Sequence, residues 1–267
     1  MDTRDLPAMP PVLPERSTVK VVAHRGSSAA EPEHTLAAYA RAIEEGADAL
    51  ECDVRLTADE QLVCVHDRTV ARTSNGTGVV STMTLAQLEQ LDFGSWKTGS
   101  GPQPVLTLAQ LLDLTVKAGR RVELAIETKH PIRSSGRLEA ALLRMLGEYD
   151  LLPASPETSQ VRIMSFSELA VRRVRQAAPA VPTVYLLERR LPLLGRLRRL
   201  PGGAPIAGPG IDLVRADPSL VTNLRAAGHR VHVWTVDEPA DVELCLELGV
   251  EAIITNRPRQ VLDQLGR

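Results

Sequence analysis

Aromatic residues are scarce in this chain, and their scarcity limits what the core can be made of. Phe, Trp and Tyr together make up 3% of the 267 residues, so the core must consist mainly of Leu, Val, Ile and Ala. The formal net charge is −2 and there is no sustained basic face, which gives no support for nucleic-acid binding. No apolar run approaches roughly 18 residues, so no segment is expected to span a membrane. The composition is therefore that of an ordinary globular protein.

Cysteine is also scarce. Cys52, Cys64 and Cys245 are odd in number and show no metal-type CxxC spacing, so we expect reduced thiols and a cytoplasmic protein. Residues 1–18 contain four prolines and no continuous apolar segment, which argues against a secretory signal. We interpret 1–18 as a flexible lead-in and 19–267 as a single domain of a size that suits a barrel.

The order of predicted elements favours a closed barrel. Strand-like segments, nearly all followed by a helix-like segment, are predicted at 19–26, from 49 onward, and at 122–129, 161–166, 183–187, 211–214, 230–237 and 252–255. Eight such units predict a (β/α)8 TIM barrel, with a small insertion after the second strand at about 68–105. An open doubly wound sheet is the alternative, but HRGSS at 24–28 has one glycine where that fold would carry a Gly-rich loop.

The strand beginning at Ala49 has an unusual charged face. Leu50 and Cys52 alternate with Glu51 and Asp53, so a two-residue period places both carboxylates on one face. Burying unpaired carboxylates costs several kcal/mol unless a cation or hydrogen bonds compensate, so this face predicts a counter-charge such as a metal ion. The alternative is an edge strand whose acidic residues face water.

A barrel of this type carries its reactive groups at the C-terminal ends of its strands. Those ends, with the loop after the second strand, bring three carboxylates, two histidines and two cations to one rim: Glu51, Asp53, Glu127, His24, His66, Arg25 and Lys129. Later strands are expected to end at Phe166, Leu187, Arg215, Trp234 and Thr255.

Each residue type on this rim has a physical role. The carboxylates are hard oxygen ligands suited to Mg²⁺ or Ca²⁺. The two cations can hold an anion, and the two histidines can serve as acid and base near neutral pH. A hard metal beside cations and an acid/base pair predicts phosphoryl or phosphodiester cleavage.

Six short motifs follow one another along the chain. They are AHRG at 23–26, PEHT at 32–35, ECDVRLT at 51–57, VHD at 65–67, IETK at 126–129 and VWTVD at 233–237. Together they resemble the glycerophosphodiester phosphodiesterase family, and the resemblance extends from about residue 19 to the C-terminus. It implies a (β/α)8 barrel that hydrolyses glycerophosphodiesters to glycerol 3-phosphate and an alcohol with one divalent cation.

The same resemblance implies roles for residues at matching positions. His24 and His66 become the acid/base pair, Glu51, Asp53 and Glu127 the metal ligands, Arg25 and Lys129 the phosphate contacts, and Trp234 an apolar wall for the glycerol end. Trp234 could instead be a core side chain, since barrels are filled by side-chain layers. The chain departs from the commonest family motif at His34, which replaces Asn. We expect His34 either to hydrogen-bond near the phosphate or metal or merely to begin a helix, and Glu33 to support the site indirectly.

The residues leave other functional alternatives open. The nucleophile is either water or the substrate's glycerol 2-hydroxyl, which would give a cyclic phosphate. The stretch from Arg189 to Leu200, RRLPLLGRLRRL, could contact an anionic membrane surface, and the same site would then cleave lysophospholipids in a phospholipase D-type reaction. A helix with a solvated basic face is the plainer interpretation of that stretch. A catalytically silent binding barrel is the remaining alternative, although none of the expected catalytic residues is missing.

Overall fold

The computed structural model describes residues 15–130, 136–188 and 199–267, and in these ranges the chain forms a closed barrel of eight parallel strands. The strands are β1 (Lys20–His24), β2 (Ala49–Leu56), β3 (Leu62–Cys64), β4 (Glu123–Thr128), β5 (Val161–Ser165), β6 (Thr183–Leu187), β7 (Ile206–Pro209), β8 (Arg230–Val233) and β9 (Ala252–Thr255). Strand β3 pairs antiparallel with β2, whereas the other eight strands pair in parallel and β1 closes the ring between β2 and β9. The predicted (β/α)8 barrel is confirmed.

Helices cover the outside of the barrel. They are α1 (Leu36–Glu44), α2 (Leu85–Leu88), α3 (Leu108–Val116), α4 (Arg137–Glu148), α5 (Glu168–Ala177), α6 (Ile211–Ala216), α7 (Ser219–Ala226), α8 (Pro239–Glu247) and α9 (Pro258–Gln264). Thr35 caps α1 by accepting a hydrogen bond from the backbone N–H of Ala38, and Thr107 with Gln110 forms a capping box at α3. These caps satisfy backbone donors that have no partner inside the helix.

The core is aliphatic, as the composition predicts. Inside the barrel, small and medium side chains such as Val22, Ala125 and Met164 pack against one another. Between strands and helices the side chains are mostly Leu, Val and Ile, and Tyr39 is a rare aromatic member of this layer. With so few large rings, many aliphatic contacts supply the burial that stabilises the fold.

Strand β2 divides its residues as the alternation predicts. Leu50, Cys52 and Val54 belong to the apolar layer under the helices, so Glu51 and Asp53 face the barrel interior. Glu51 is 2% exposed and Asp53 is 1% exposed. The alternative of a water-facing edge strand is therefore wrong, and the two carboxylates are buried.

One predicted strand is wrong. The segment 211–214 was expected to be a strand but lies in α6, and the strand that completes the barrel is β7, just before it. Its sequence, IAGP, contains glycine and proline, which are both poor strand formers, so it carries no strand signal. Gly208 packs closely, since a Cβ there would lie 2.7 Å from Cδ2 of Leu186 and that side chain would have to move.

Because of the same error, the expected position of Arg215 is also wrong. This residue was expected at a strand end on the reactive rim, but it lies on the outer helix α6. Its guanidinium forms ion pairs with Asp212 on the same helix and with Asp241 on α8. Arg215 therefore fastens two outer helices together.

The segment after β3 is an insertion with a small core of its own. It contains a 3-10 turn at Val80–Thr82 and helix α2 before the chain reaches α3. Its apolar side chains cluster with Val63 of β3 and separately from the barrel layers; the other members are Val65, Val70, Val80, Leu88, Phe93 and Val105. This local burial holds a loop-rich segment in one arrangement beside β2.

Two predicted features fall on other parts of the chain. Residues 1–14 and 189–198 lie outside the described residues, so most of the expected lead-in and of the arginine- and leucine-rich stretch is not addressed by the structure. Among the described residues, no helix combines the length and the apolar character needed to cross a bilayer. Cys52, Cys64 and Cys245 are buried free thiols.

The turn after β1 provides a test of packing. Gly26 has a φ of +84°, and a Cβ there would lie 2.6 Å from the carbonyl carbon of Ala38. We expect Gly26→Ala to lower the free energy of unfolding by about 3 kcal/mol or more, because left-handed strain and a backbone clash add. Gly119→Ala is the matched control, since Gly119 has a φ of +68° but open space around it. Gly119→Ala should lower the free energy of unfolding by about 1–2 kcal/mol, measured by urea unfolding, because only left-handed strain is added. Equal losses of stability in the two variants would contradict a backbone clash at Gly26.

Candidate active site

The predicted reactive residues meet at the end of the barrel where the parallel strands terminate. They are His24 and Arg25 at the end of β1, Glu51 and Asp53 within β2, His66 after β3, Glu127 and Lys129 at the end of β4, and Trp234 after β8. Strand pairing sets His24 level with Glu51, and Asp53 level with Glu127. All of these residues except Asp53, which lies beneath, line one cavity of about 260 Å³.

Glu51, Asp53 and Glu127 form a buried carboxylate triad. One oxygen from each lies within 4.8 Å of the others, and none of the three residues is more than 7% exposed. Burial, and then repulsion by Asp53, raises the pKa of Glu51 well above its usual range and that of Glu127 to about 8. A divalent cation fits this donor set, because its charge would stabilise the ionised carboxylates that burial and repulsion disfavour.

Asp53 is the most strongly compensated member of the triad. Its Oδ1 lies 2.9 Å from Nζ of Lys129, and its Oδ2 lies 3.0 Å from Nε of Arg25 and 2.9 Å from Nε2 of His34. Burial alone would raise the pKa of Asp53, but these neighbours lower it well below its usual range. The cations expected to contact phosphate are thus also counter-charges of the triad.

His34 lies closer to the triad than a helix-start residue would need to. It is buried between Asp53 and Tyr39, whose hydroxyl is 2.8 Å from Nδ1 of His34. His34 has a φ of +58°, a left-handed conformation that non-glycine residues rarely adopt. The contact with Asp53 supports the alternative in which His34 hydrogen-bonds beside the metal ligands.

His24 is held by a neutral amide. Its Nδ1 lies 2.7 Å from Oδ1 of Asn256, so we assign the proton of the neutral ring to Nδ1. Asp237 fixes that amide, accepting the Nδ2–H of Asn256 at 2.6 Å and its backbone N–H at 2.8 Å. Nε2 of His24, which lies 4.0 Å from Glu51, therefore carries the lone pair. Burial lowers the pKa of His24 to about 3.

His66 is held by a carboxylate instead. Its Nδ1 lies 2.7 Å from Oδ1 of Asp67, and Arg72 donates its Nε–H to the other oxygen of Asp67 at 2.6 Å. Burial opposes ionisation of Asp67, but the hydrogen bond from Arg72 lowers its pKa to about 2. Burial, with the nearby charges of Lys129 and Arg25, lowers the pKa of His66, and the hydrogen bond to the ionised Asp67 partly opposes this shift by favouring the doubly protonated ring.

A chain of ion pairs connects the two sides of the cavity. Arg72 donates two hydrogen bonds to Glu33, at 2.8 and 2.7 Å, and Arg25 donates a third to the same carboxylate at 3.0 Å. Since Arg72 also holds Asp67, the turn after β1 and the insertion after β3 are fastened together. Glu33 supports the site indirectly, through Arg25 and Arg72.

The cavity has one apolar wall. Met164, Phe166, Leu186, Trp234 and Ile254 form it. Trp234 is half-buried, its Nε1–H donates to the carbonyl of Gly208 at 2.7 Å, and its ring meets Phe166 edge to face with centroids 5.5 Å apart. Trp234 therefore presents a fixed apolar surface to the cavity.

Three residues that organise the site were not predicted from the sequence. Asn256 directly follows β9, so the strand-end rule that identifies His24 applies to it too. Asp237 lies in the VWTVD motif, but the motif gives no sign of its contact with Asn256. Arg72 lies in the turn-rich insertion, where no periodicity or spacing signals a contact with Glu33.

Comparison with known proteins agrees with this geometry. The model of the glycerophosphoryl diester phosphodiesterase family matches residues 24–260. The chain is 48% identical over 245 residues to "Probable glycerophosphodiester phosphodiesterase 1" of Mycobacterium tuberculosis, covering 89% of each protein. It is 35% identical over 252 residues to the glycerophosphodiester phosphodiesterase of Bacillus subtilis, covering 90% of this chain and 84% of that protein.

Solved structures give the same result. A glycerophosphodiester phosphodiesterase from Agrobacterium tumefaciens superposes with a TM-score of 0.74 at 26% identity, covering 92% of this chain and 99% of that one. An Oleispira antarctica phosphodiesterase in complex with the product sn-glycerol-3-phosphate gives a TM-score of 0.80 at 25% identity, covering 96% and 98%. The chain belongs to the glycerophosphoryl diester phosphodiesterase family and is a phosphoric diester hydrolase, so the silent-barrel alternative is wrong.

The ion pairs of Glu33 predict that part of the free energy of unfolding depends on pH. Burial opposes its ionisation, but Arg72 and Arg25 lower the pKa of Glu33 to about 2. Because the folded pKa lies below the usual value of about 4.3, Glu33 stabilises the fold at neutral pH by roughly 2–3 kcal/mol, and this term is lost as pH falls from about 5 to about 2.

We therefore expect Glu33→Gln to flatten the fall in unfolding free energy across that acid range, measured by urea titrations at several pH values. Glu31→Gln is the control, because it removes a neighbouring carboxylate whose partner is the exposed Arg41. A Glu33→Gln slope as steep as that of wild type would contradict the assignment.

Proposed function

We propose that the protein hydrolyses glycerophosphodiesters to glycerol 3-phosphate and an alcohol, with one divalent cation and with His24 and His66 as base and acid. The observation that carries the proposal is the meeting of a buried carboxylate triad and two differently partnered histidines at one cavity. The product bound to the Oleispira antarctica structure supports glycerol 3-phosphate as the product here.

Glu51, Asp53 and Glu127 are the proposed metal ligands. When bound, a Mg²⁺ or Ca²⁺ ion supplies positive charge that stabilises the negative charge developing on the phosphate oxygens. Arg25 donates an Nη1–H to Glu33 and its Nε lies 3.0 Å from Asp53, so Nη2 is the nitrogen proposed to contact a phosphate oxygen. Lys129 adds a second positive charge at the cavity, and both side chains hold the phosphate in place for attack.

His24 is the proposed general base. With its proton on Nδ1, its Nε2 lone pair faces the cavity and can accept a proton from the nucleophile. Its partner Asn256 carries no charge, so burial outweighs the hydrogen bond to that amide and disfavours an imidazolium before reaction. The low pKa of His24 agrees with a ring that starts the reaction unprotonated.

His66 is the proposed general acid. The carboxylate of Asp67 orients its ring and stabilises the imidazolium, which then delivers a proton to the oxygen of the leaving alcohol. His66 borders both the main cavity and a second, adjoining cavity. The leaving alcohol is therefore placed on the side of His66, and the glycerol end lies against the apolar wall that contains Trp234.

The nucleophile is either water or the glycerol 2-hydroxyl, and the product distinguishes them. The 2-hydroxyl route passes through a cyclic phosphate that can be trapped, whereas direct attack places one ¹⁸O from labelled water in glycerol 3-phosphate in a single step. A cytoplasmic location completes the proposal, supported by the three free thiols.

Metal dependence is the first test. Wild-type protein should release glycerol 3-phosphate from glycerophosphocholine and glycerophosphoethanolamine, EDTA should abolish the release, and added Mg²⁺ or Ca²⁺ should restore it. His24→Ala should lower kcat by about 10²–10⁴-fold, because the base is lost. His229→Ala, which changes a histidine outside the cavity, is the control. Full turnover in EDTA, or an active His24→Ala enzyme, would contradict the proposal.

The acid and base roles are separated by the leaving group. p-Nitrophenolate leaves without protonation, so on the p-nitrophenyl ester of glycerol 3-phosphate the His66→Ala variant should retain at least about tenfold more of the wild-type rate than on glycerophosphocholine. His24→Ala should be impaired on both substrates to a similar degree. The reverse pattern in steady-state assays would exchange the two roles.

A further inference from the structure

A second cavity adjoins the catalytic one on the side of His66. Its volume is about 250 Å³, and it shares His66, Glu127, Lys129 and Phe166 with the catalytic cavity. The rest of its lining comes from the end of β2, the start of the insertion, and the ends of β4 and β5: Arg55, Asp67, Arg68, Thr128, His130 and Ser165.

The charged groups of this cavity do not balance. Asp67 is occupied by His66 and Arg72, and Glu127 is paired with Lys129 at 2.7 Å. His130 lies 3.1 Å from Glu139. Within the described ranges, neither Arg55 nor Arg68 forms an ion pair with a carboxylate. The carboxylates that act on Arg55 from nearby, Asp53, Glu127 and Asp67, are each paired with other groups, so both guanidinium groups keep charge available for an anion.

The geometry of these two arginines leaves donors for a ligand. Arg55 is half-buried and donates Nε–H and Nη2–H to the backbone carbonyl of His66, at 3.2 and 2.6 Å, which fixes its side chain. Arg68 is exposed and lines the same cavity. Two like charges facing one cavity repel each other, and an anion between them would remove that cost while accepting charge-assisted hydrogen bonds.

The opposite side of the site has a different character. There the catalytic cavity is closed by apolar side chains, and its only carboxylate outside the metal triad, among the described lining residues, is Glu188. A substrate with a negative group on its alcohol would therefore gain at Arg55 and Arg68 and lose near Glu188. Among the described lining residues, Arg55 and Arg68 therefore lie on the side of His66, and the apolar wall lies on the opposite side.

From this asymmetry we infer that Arg55 and Arg68 form a subsite for an anionic group carried by the leaving alcohol, so the preferred substrates are diesters whose alcohol bears a phosphate or carboxylate. The inference rests on the proposed function, which places the leaving alcohol on the side of His66. A quaternary ammonium headgroup such as choline meets two arginines there that form no ion pair, and it is disfavoured.

Three diesters that differ in the charge of the alcohol test the inference. They are glycerophosphoglycerol with a neutral alcohol, glycerophosphocholine with a cationic one, and bis(glycerophospho)glycerol, whose leaving alcohol carries a second phosphodiester. Wild type should show the highest kcat/KM for the anionic alcohol and the lowest for choline. Raising the salt concentration should reduce this difference, because a charged exposed contact is screened.

Arg68→Gln isolates the subsite, because Arg68 is exposed and touches neither the triad nor the histidines in any hydrogen bond or ion pair. It should lower kcat/KM for the anionic diester about tenfold and leave the value for glycerophosphoglycerol within about twofold. Arg68→Lys should keep most of the preference. Arg144→Gln, which removes the same charge from the exposed face of α4, is the matched control and should change neither value.

The outcomes separate the subsite from the reaction. If wild type hydrolyses all three diesters but prefers choline, or if Arg68→Gln leaves the ratio between anionic and neutral substrates unchanged, the subsite is wrong and the proposed reaction stands. If wild type hydrolyses none of them with metal present, the proposed function fails and the subsite fails with it.

Discussion

Mutual repulsion among three carboxylates in a buried pocket is the constraint on which the rest of this site depends. Glu51 and Asp53 share one face of β2, and parallel pairing with β4 sets Glu127 level with Asp53, so the three carboxylates lie together. Positively charged side chains that follow β1 and β4 offset this repulsion. Lys129 follows β4 and Arg25 follows β1, and both reach Asp53. The strand pairing that brings the carboxylate triad together thus also brings its counter-charges to the same place.

The two histidines show how similar side chains in one cavity come to have different surroundings. His24 contacts an amide whose orientation Asp237 determines, whereas His66 contacts a carboxylate whose charge Arg72 maintains. Burial lowers the pKa of both rings, and the anionic partner of His66 opposes that shift with a charge that the neutral partner of His24 lacks. The two rings therefore differ because of the residues that hold their partners, Asp237 and Arg72, more than because of the histidines themselves.

The sequence alone predicts the barrel and the residues that carry charge at strand ends, because alternation and strand order are local properties of the chain. It predicts β7 poorly, because IAGP has no strand pattern of its own. This segment is a strand because it pairs with β6 and because Gly208 fits closely against Leu186. That error placed Arg215 on the rim instead of on α6. Asn256 and Arg72 were missed for another reason: their importance lies in contacts with residues far along the chain, at His24 and Glu33, which no periodicity records.

The insertion after β3 has its own apolar cluster and reaches the barrel site through a few polar side chains, notably Arg72 and, at the adjoining cavity, Arg68. A unit that is stabilised internally can change sequence without disturbing the barrel core. Substitutions in this segment can therefore change the alcohol preference proposed for the adjoining cavity while the carboxylate triad and the strand pairing stay fixed. In evolutionary terms, the insertion gives this chain a place to vary its substrate without altering the residues proposed to carry its chemistry.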